Sequence, residues 1–188
     1  FYNRNQTMCI RADEAANSIP EFLKGKKKVT VGNTATLIDG IYDDLSKDTG
    51  INFVRVDFKG SKKTLKGLVA GDVDMMYTGF TKREISNKHI KCLAVSSPVE
   101  VGGKQPLSVV FPTWHLNKTG TLKYWHAVNI PADQRATVKA DLNRVIESET
   151  VATYLKKAFM IPGTEIKDQK KAFWDIVSTL TGNKLASK

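Results

Sequence analysis

The sequence predicts an α/β fold built on a mostly parallel sheet with flanking helices. Three observations carry that reading. Over residues 7–96, short apolar runs alternate with amphipathic helical patterns across short connections, the arrangement of βα units with parallel strands. Gly25, Gly50 and Gly71 each follow a helical run, at the position where glycine takes a left-handed conformation cheaply. After Pro98 the character changes to a Gly/Pro-rich loop and then to mostly helical patterns with very few strands, which need a sheet to pack against.

Thr7–Arg11 alternates apolar and polar residues and predicts a strand. Ser18-Ile-Pro-Glu21 then places an N-cap, a first-turn proline and an N3 glutamate at the start of a short helix through Lys24. Val29–Val31 is a second strand, and Leu37, Ile38, Ile41, Tyr42 and Leu45 recur at helical spacing. Ile51–Val56 is a third strand. Ser61–Ala70 is a helix, and Val73–Tyr77 and Cys92–Val95 are further strands. Beyond Pro98, Leu122–Ile130 reads as a strand. A helix starting at Pro131 has apolar Val138, Leu142, Val145 and Ile146, and helices follow over Glu147–Met160 and Asp168–Leu180. No repeat or low-complexity tract is present.

The chain has 188 residues, 41% hydrophobic and 26% charged, ordinary values for a globular protein. A chain of this size buries roughly 70% of its unfolded surface, enough for a core without staples. No apolar run approaches the ~18 residues of a membrane span. The net charge of +10 and pI near 9.6 fit nucleic acid, an anionic surface, a small anion or simply a lysine-rich proteome. Clusters at Lys26–Lys28, Lys59–Lys66 and Lys167–Lys171 are spread out, without the single aromatic-laced stripe of a nucleic-acid groove. The opening FYNRNQTMCIRAD has no initiator Met and no signal peptide, as expected of a processed or trimmed piece.

Cys9 and Cys92 form no CxxC pair, which argues against a zinc site or thioredoxin chemistry. They read as two free buried thiols or as one disulfide of an oxidising compartment. His89, His115 and His126 share no ligand-like spacing, so neither metal nor cofactor is expected. No Ser/His/Asp or Cys/His arrangement suggests an enzyme. Asp72 reads as hydrogen-bonding nearby backbone, Asp74 as capping the strand's start or pairing with a lysine, and Met75 and Met76 as core.

Two loops carry candidate binding chemistry. Gly32-Asn33-Thr34-Ala35-Thr36 joins a strand to a helix, where unpaired N–H groups and the helix dipole favour an anion. The hydroxyls of Thr34 and Thr36 add donors. The loop lacks the Gly-Lys-Ser/Thr of a P-loop. Phe58-Lys59-Gly60-Ser61 occupies the equivalent place after the next strand. The alternatives are a plain N-cap and a basic surface turn.

VDFKGSKKTLKGLVAGDVDMMYTGF resembles the V-P-Y-K-G…L-x-G-x-V-D segment of the substrate-binding proteins of tripartite tricarboxylate transporters, the Bug receptors. VTVGNTATLIDGIYDDLSKDTGINFVRV, HIKCLAVSS, and FPTW followed by YWHAVNIPADQ resemble three further family segments in the same order. The resemblance implies a two-lobed, type II periplasmic-binding-protein-like fold lacking the N-terminal part of its first lobe. It assigns residues 10–92 to the second lobe, and 1–9 with 93–188 to the hinge strands and a first-lobe remnant. It implies a non-enzymatic role in the periplasm or outside the cell, capturing a small organic anion, a carboxylate, for membrane transporter subunits. A companion chain or missing segment would complete the first lobe, and no specific nucleic acid is expected. Asn33, Thr34, Ala35, Thr36, Phe58, Lys59, Gly60 and Ser61 match the family's ligand loops, and Trp125 lies where its chain crosses toward the cleft, its ring either lining a ligand or packing in the core. Three departures bear on the ligand: a shorter first loop rich in Thr, Asp57 for Pro, and Phe58 for Tyr. The resemblance also puts Cys9 and Cys92 on adjacent crossover strands, so a disulfide between them is expected if their Cα atoms lie within ~7 Å. The alternative function is a reduced, repurposed version of the fold, acting as a structural or protein-interaction module without ligand.

Overall fold

A computed structural model describes residues 2–33, 39–111, 121–122 and 130–162. The elements run β1 Tyr2–Arg4, β2 Gln6–Arg11, α1 Ile19–Leu23, β3 Lys28–Asn33, α2 Asp39–Thr49, β4 Asn52–Asp57, α3 Ser61–Ala70, β5 Met75–Gly79, α4 Lys82–Ile85 and β6 Ile90–Val95. They continue with β7 Gln105–Pro106, α5 Leu107–Val110, β8 Thr121–Leu122, a 3-10 turn at Ala132–Gln134, α6 Arg135–Ile146, α7 Glu149–Lys157 and β9 Met160–Pro162.

The helix signals act as read. Ser18 caps α1 by accepting from the Glu21 amide, and the Glu21 carboxylate accepts in return from the Asn17 amide at 2.7 Å. Gly71 stops α3 at φ 83°, with its N–H on the carbonyls of the last turn, a conformation that costs a residue with Cβ.

Six strands form the main sheet in the order β4-β3-β5-β2-β6-β7. β3 pairs in parallel with β4 and β5, and β6 in parallel with β7; β2 runs antiparallel to β5 and β6. Being central, β2 is buried on both faces: Met8, Cys9 and Ile10 are fully buried. Strand alternation sends Met8 and Ile10 to one core and Cys9 to the other. The first core holds Val29, Val31, Met75 and Tyr77 with α1 and α2 residues Phe22, Leu23, Tyr42 and Leu45. The second holds Met76, Phe80, Cys92 and Val95 with Leu68 of α3. Cys9 and Cys92 are register partners on β2 and β6, joined by a disulfide with Cα atoms 3.8 Å apart.

β5 begins at Met75, two residues later than the sequence pattern predicts. The cause is Asp74, whose carboxylate accepts from the Thr30 amide and hydroxyl, both at 2.7 Å. It clamps the entrance to the β3–β5 pair, so Asp74 meets backbone and hydroxyl donors of β3. Asp72 donates its amide to the Gly67 carbonyl at 2.9 Å.

Phe58 wedges its ring between α3 and β3. A Cβ on Gly67 would lie 2.6 Å from Phe58 Cζ, and one on Gly32 3.3 Å from its Cε2. Gly67→Ala should therefore destabilise by about 1–2 kcal/mol, because overpacking outweighs the roughly 1 kcal/mol gain in helix propensity. Urea unfolding checks this as a lower midpoint at unchanged slope. The penalty should shrink in a Phe58→Leu background; an equal penalty in both backgrounds would exclude the ring as the cause.

A second, three-stranded sheet has the order β8-β1-β9, antiparallel throughout. It joins the main body through Asn5, whose Nδ2 donates to the Phe159 carbonyl at 2.8 Å. The Phe159 ring sits 5.3 Å from that of Phe80. Ser148 caps α7 by accepting from the Val151 amide. The apolar stripe read in α6 is only partly covered: Val138 and Ile146 are half-buried, no α6 residue is buried, and Leu142 and Val145 are 40% and 58% exposed. Of the strand read over Leu122–Ile130, Leu122 lies in β8 and 123–129 lie outside the described residues, as does the helix read over Asp168–Leu180. The main sheet's edges are β4, with an Arg55–Asp57 ion pair at 2.6 Å, and β7, two residues long with Pro106. No described helix is long and apolar enough to cross a membrane.

Candidate functional site

The carboxyl ends of β3, β4 and β5 share one edge of the main sheet, and each leads toward a helix, α2, α3 and α4 in turn. Ligands bind at such edges because amide-rich helix starts converge there. Asn33, the last residue of β3, is the register partner of Asp57 on β4 and Tyr77 on β5. Residues paired in register point to the same face, so the three form a polar row. Asn33 is 1% and Tyr77 2% exposed. Tyr42 of α2 joins the same core, and its buried hydroxyl has no partner among the described residues. Burial raises the Tyr42 pKa, and the Asp57 carboxylate adds to the effect. Burial also raises that of Tyr77, reinforced by Tyr42 and opposed by a hydrogen bond with Ser96. Both phenols therefore stay neutral, as hydrogen-bond donors, at physiological pH.

The 58–61 loop is tied to the end of β3, because the Phe58 amide donates to the Asn33 carbonyl at 3.0 Å. Gly60, at φ 94°, turns the chain into α3. Among the described residues no side chain caps α3, and no acid occupies its first turn. Its positive end is thus open to an anion. Lys59 is exposed and Ser61 half-buried. The Phe58 ring is committed to packing against Gly32 and Gly67. The charge of Asp57, a departure from the resembling family, is met by Arg55.

The structure thus brings Asn33, Phe58, Lys59, Gly60 and Ser61 to one edge. Thr34, Ala35, Thr36 and Trp125 lie outside the described residues. Sequence reasoning missed Arg83 and Glu84 of α4. Arg83 Nη2 donates to Ser61 Oγ at 2.7 Å, and its Nε to Glu84 Oε1 at 2.7 Å. The Thr81 hydroxyl donates to the other oxygen of Glu84, a residue 1% exposed. The signal was present as Thr81-Lys-Arg-Glu84, the spacing of a capping box, directly after a strand. No group of His, Cys, Asp and Glu among the described residues could hold a metal ion. A shallow depression lined by Glu149, Thr150, Thr153, Tyr154 and Lys157 belongs to α7, an element apart from this edge.

No protein-family model matches the sequence, and no curated protein matches it. Solved structures do resemble it. A TctC solute-binding protein from Polaromonas superposes with a TM-score of 0.67 at 16% identity, covering 96% of this chain and 65% of that one. The periplasmic binding protein BugD gives 0.61 at 16%, covering 96% and 64%. MatC from Rhodopseudomonas palustris, solved with bound malate, gives 0.63 at 13%, covering 96% and 65%. This chain therefore has the type II periplasmic-binding-protein-like fold that the sequence resemblance implied. It spans about 65% of the length of these structures.

Proposed function

We propose that this chain captures a small organic anion, a carboxylate, at the edge formed by the ends of β3 and β4, and performs no chemistry on it. The observation that carries the reading is the meeting there of the carboxyl ends of β3 and β4, joined by the Phe58–Asn33 backbone bond, with an α3 start that is uncapped among the described residues and acid-free. Asn33, Thr34, Ala35, Thr36, Phe58, Lys59, Gly60, Ser61 and Trp125 form the ligand set, with Phe58 contributing backbone while its ring packs. The role is that of the extracytoplasmic solute-binding component of a tripartite tricarboxylate-type transporter, periplasmic or extracellular, recognised by membrane subunits. The malate in the MatC neighbour is consistent with this ligand class.

In this reading residues 10–92 form the second lobe. Residues 1–9 and 93–188 supply the hinge strands and a first-lobe remnant. A companion chain or missing segment completes that lobe, and lobe closure over the ligand is a hinge motion. The exposure of Leu142 and Val145 on the apolar stripe of α6 supports an incomplete first lobe. The same stripe, with the packed Phe58 ring, also favours a second reading, a repurposed scaffold that binds another protein and no ligand.

Calorimetry and thermal shift with malate and adipate separate the two. Saturable binding is expected, with ligand at 100 times Kd adding about 2.7 kcal/mol. No shift at millimolar carboxylate, together with a bare 20.9 kDa species in native mass spectrometry, would leave the scaffold reading standing.

A further inference from the structure

We propose that Arg83, held in place by the buried Glu84 carboxylate, grips the ligand's carboxylate at the first turn of α3. The inference rests on the ligand reading above and adds a residue that neither the loop motifs nor the resemblance picks out. Glu84 has a side-chain exposure of 0%, against 41% for Arg83. A buried carboxylate is costly unless every lone pair is met. Here Arg83 takes one oxygen and Thr81 the other. Glu84 is thereby a positioning residue that fixes the guanidinium plane. Nε and Nη2 of Arg83 are engaged by Glu84 and Ser61, while Nη1 donates to nothing among the described residues. With Nη2 on Ser61, the first residue of α3, Nη1 lies beside the uncapped start of this ten-residue helix. A guanidinium with a fixed plane aims a charge-assisted donor at a carboxylate oxygen, whereas the ammonium groups of the exposed Lys59 and Lys62 ride on flexible stems.

An independent observation points to the same place. Thr78 is 1% exposed, and its hydroxyl has no partner among the described residues. Met76, two residues earlier on the same face of β5, pairs with Gly32. A Cβ on Gly32 would meet Thr64 of α3 at 2.8 Å. That face therefore looks at α3, and Thr78, nearer the strand's carboxyl end, lies beneath its first turn. A buried hydroxyl left unsatisfied costs about 1–3 kcal/mol, and a bound carboxylate oxygen relieves that cost.

The test is calorimetric titration of malate and adipate into the wild type, Arg83→Lys, Arg83→Met and, as a control farther along α3, Lys66→Met. Melting curves run alongside. Wild type should bind. Arg83→Lys, which keeps the charge and a partner for Glu84, should weaken binding about 10-fold and Arg83→Met about 100-fold, the range of charge-assisted hydrogen bonds. Lys66→Met should stay within about two-fold, as a screened surface charge does. If Arg83→Met fails to fold, Arg83→Lys carries the test. Wild-type binding that both Arg83 variants match within two-fold overturns this inference and leaves the ligand reading intact. A wild type that binds neither anion overturns both.

Discussion

Removing the disulfide with the Cys9→Ala, Cys92→Ala pair should lower stability by about 4–5 kcal/mol, the loop-closure value for a cross-link over 83 residues. Against a typical 5–15 kcal/mol total, that brings the chain close to unfolding at 37 °C. The bridge ties the two strands between which the whole β3–β5 unit is strung, so its loss frees the unfolded chain most. Denaturant curves of the oxidised protein, the reduced protein and the double variant measure the effect. A loss under about 1 kcal/mol would mean that the β2–β6 ladder alone confines these strands.

Phe80→Ala should cost about 3–5 kcal/mol, the range for truncating a fully buried ring. Phe80 is 1% exposed and meets both the Phe159 ring and the Cβ position of Gly102. It follows β5 directly, so it couples the main sheet to the α7–β9 segment. Hydrogen exchange should accelerate over 149–162 before it does in β2–β5. Phe159→Ala, at a half-buried position, should cost less. Costs that add fully in the double variant would show the rings to be uncoupled.

The βα unit was legible because its signals are local. Ser18 with Glu21, and Gly71 after Ala70, act within one turn of chain, and the structure uses them as such. Non-local features were not legible. β1, β8 and β9 are two or three residues each and exist only through pairing across more than a hundred residues. Val73 and Asp74 fit a strand by composition, but Asp74 is taken by Thr30. The apolar period of α6 gave a face without saying what covers it. At the site, Asn33, Lys59 and Ser61 stood out because strand-to-helix junctions announce themselves. Arg83 did not, because its role depends on a partner 22 residues away on another element.

The edges of the main sheet have a consequence for growth. A long, bare edge strand is a template onto which a second molecule can stack its own backbone, the first step toward fibres. Here one edge is two residues long and ends in an imino acid with no N–H to offer, while the other carries an ion pair across its last turnings. Runaway polymerisation through this sheet is thereby disfavoured at both margins. In concentrated solution, sticking between molecules should therefore follow the greasy side of α6 at Leu142 and Val145 and stay finite in size.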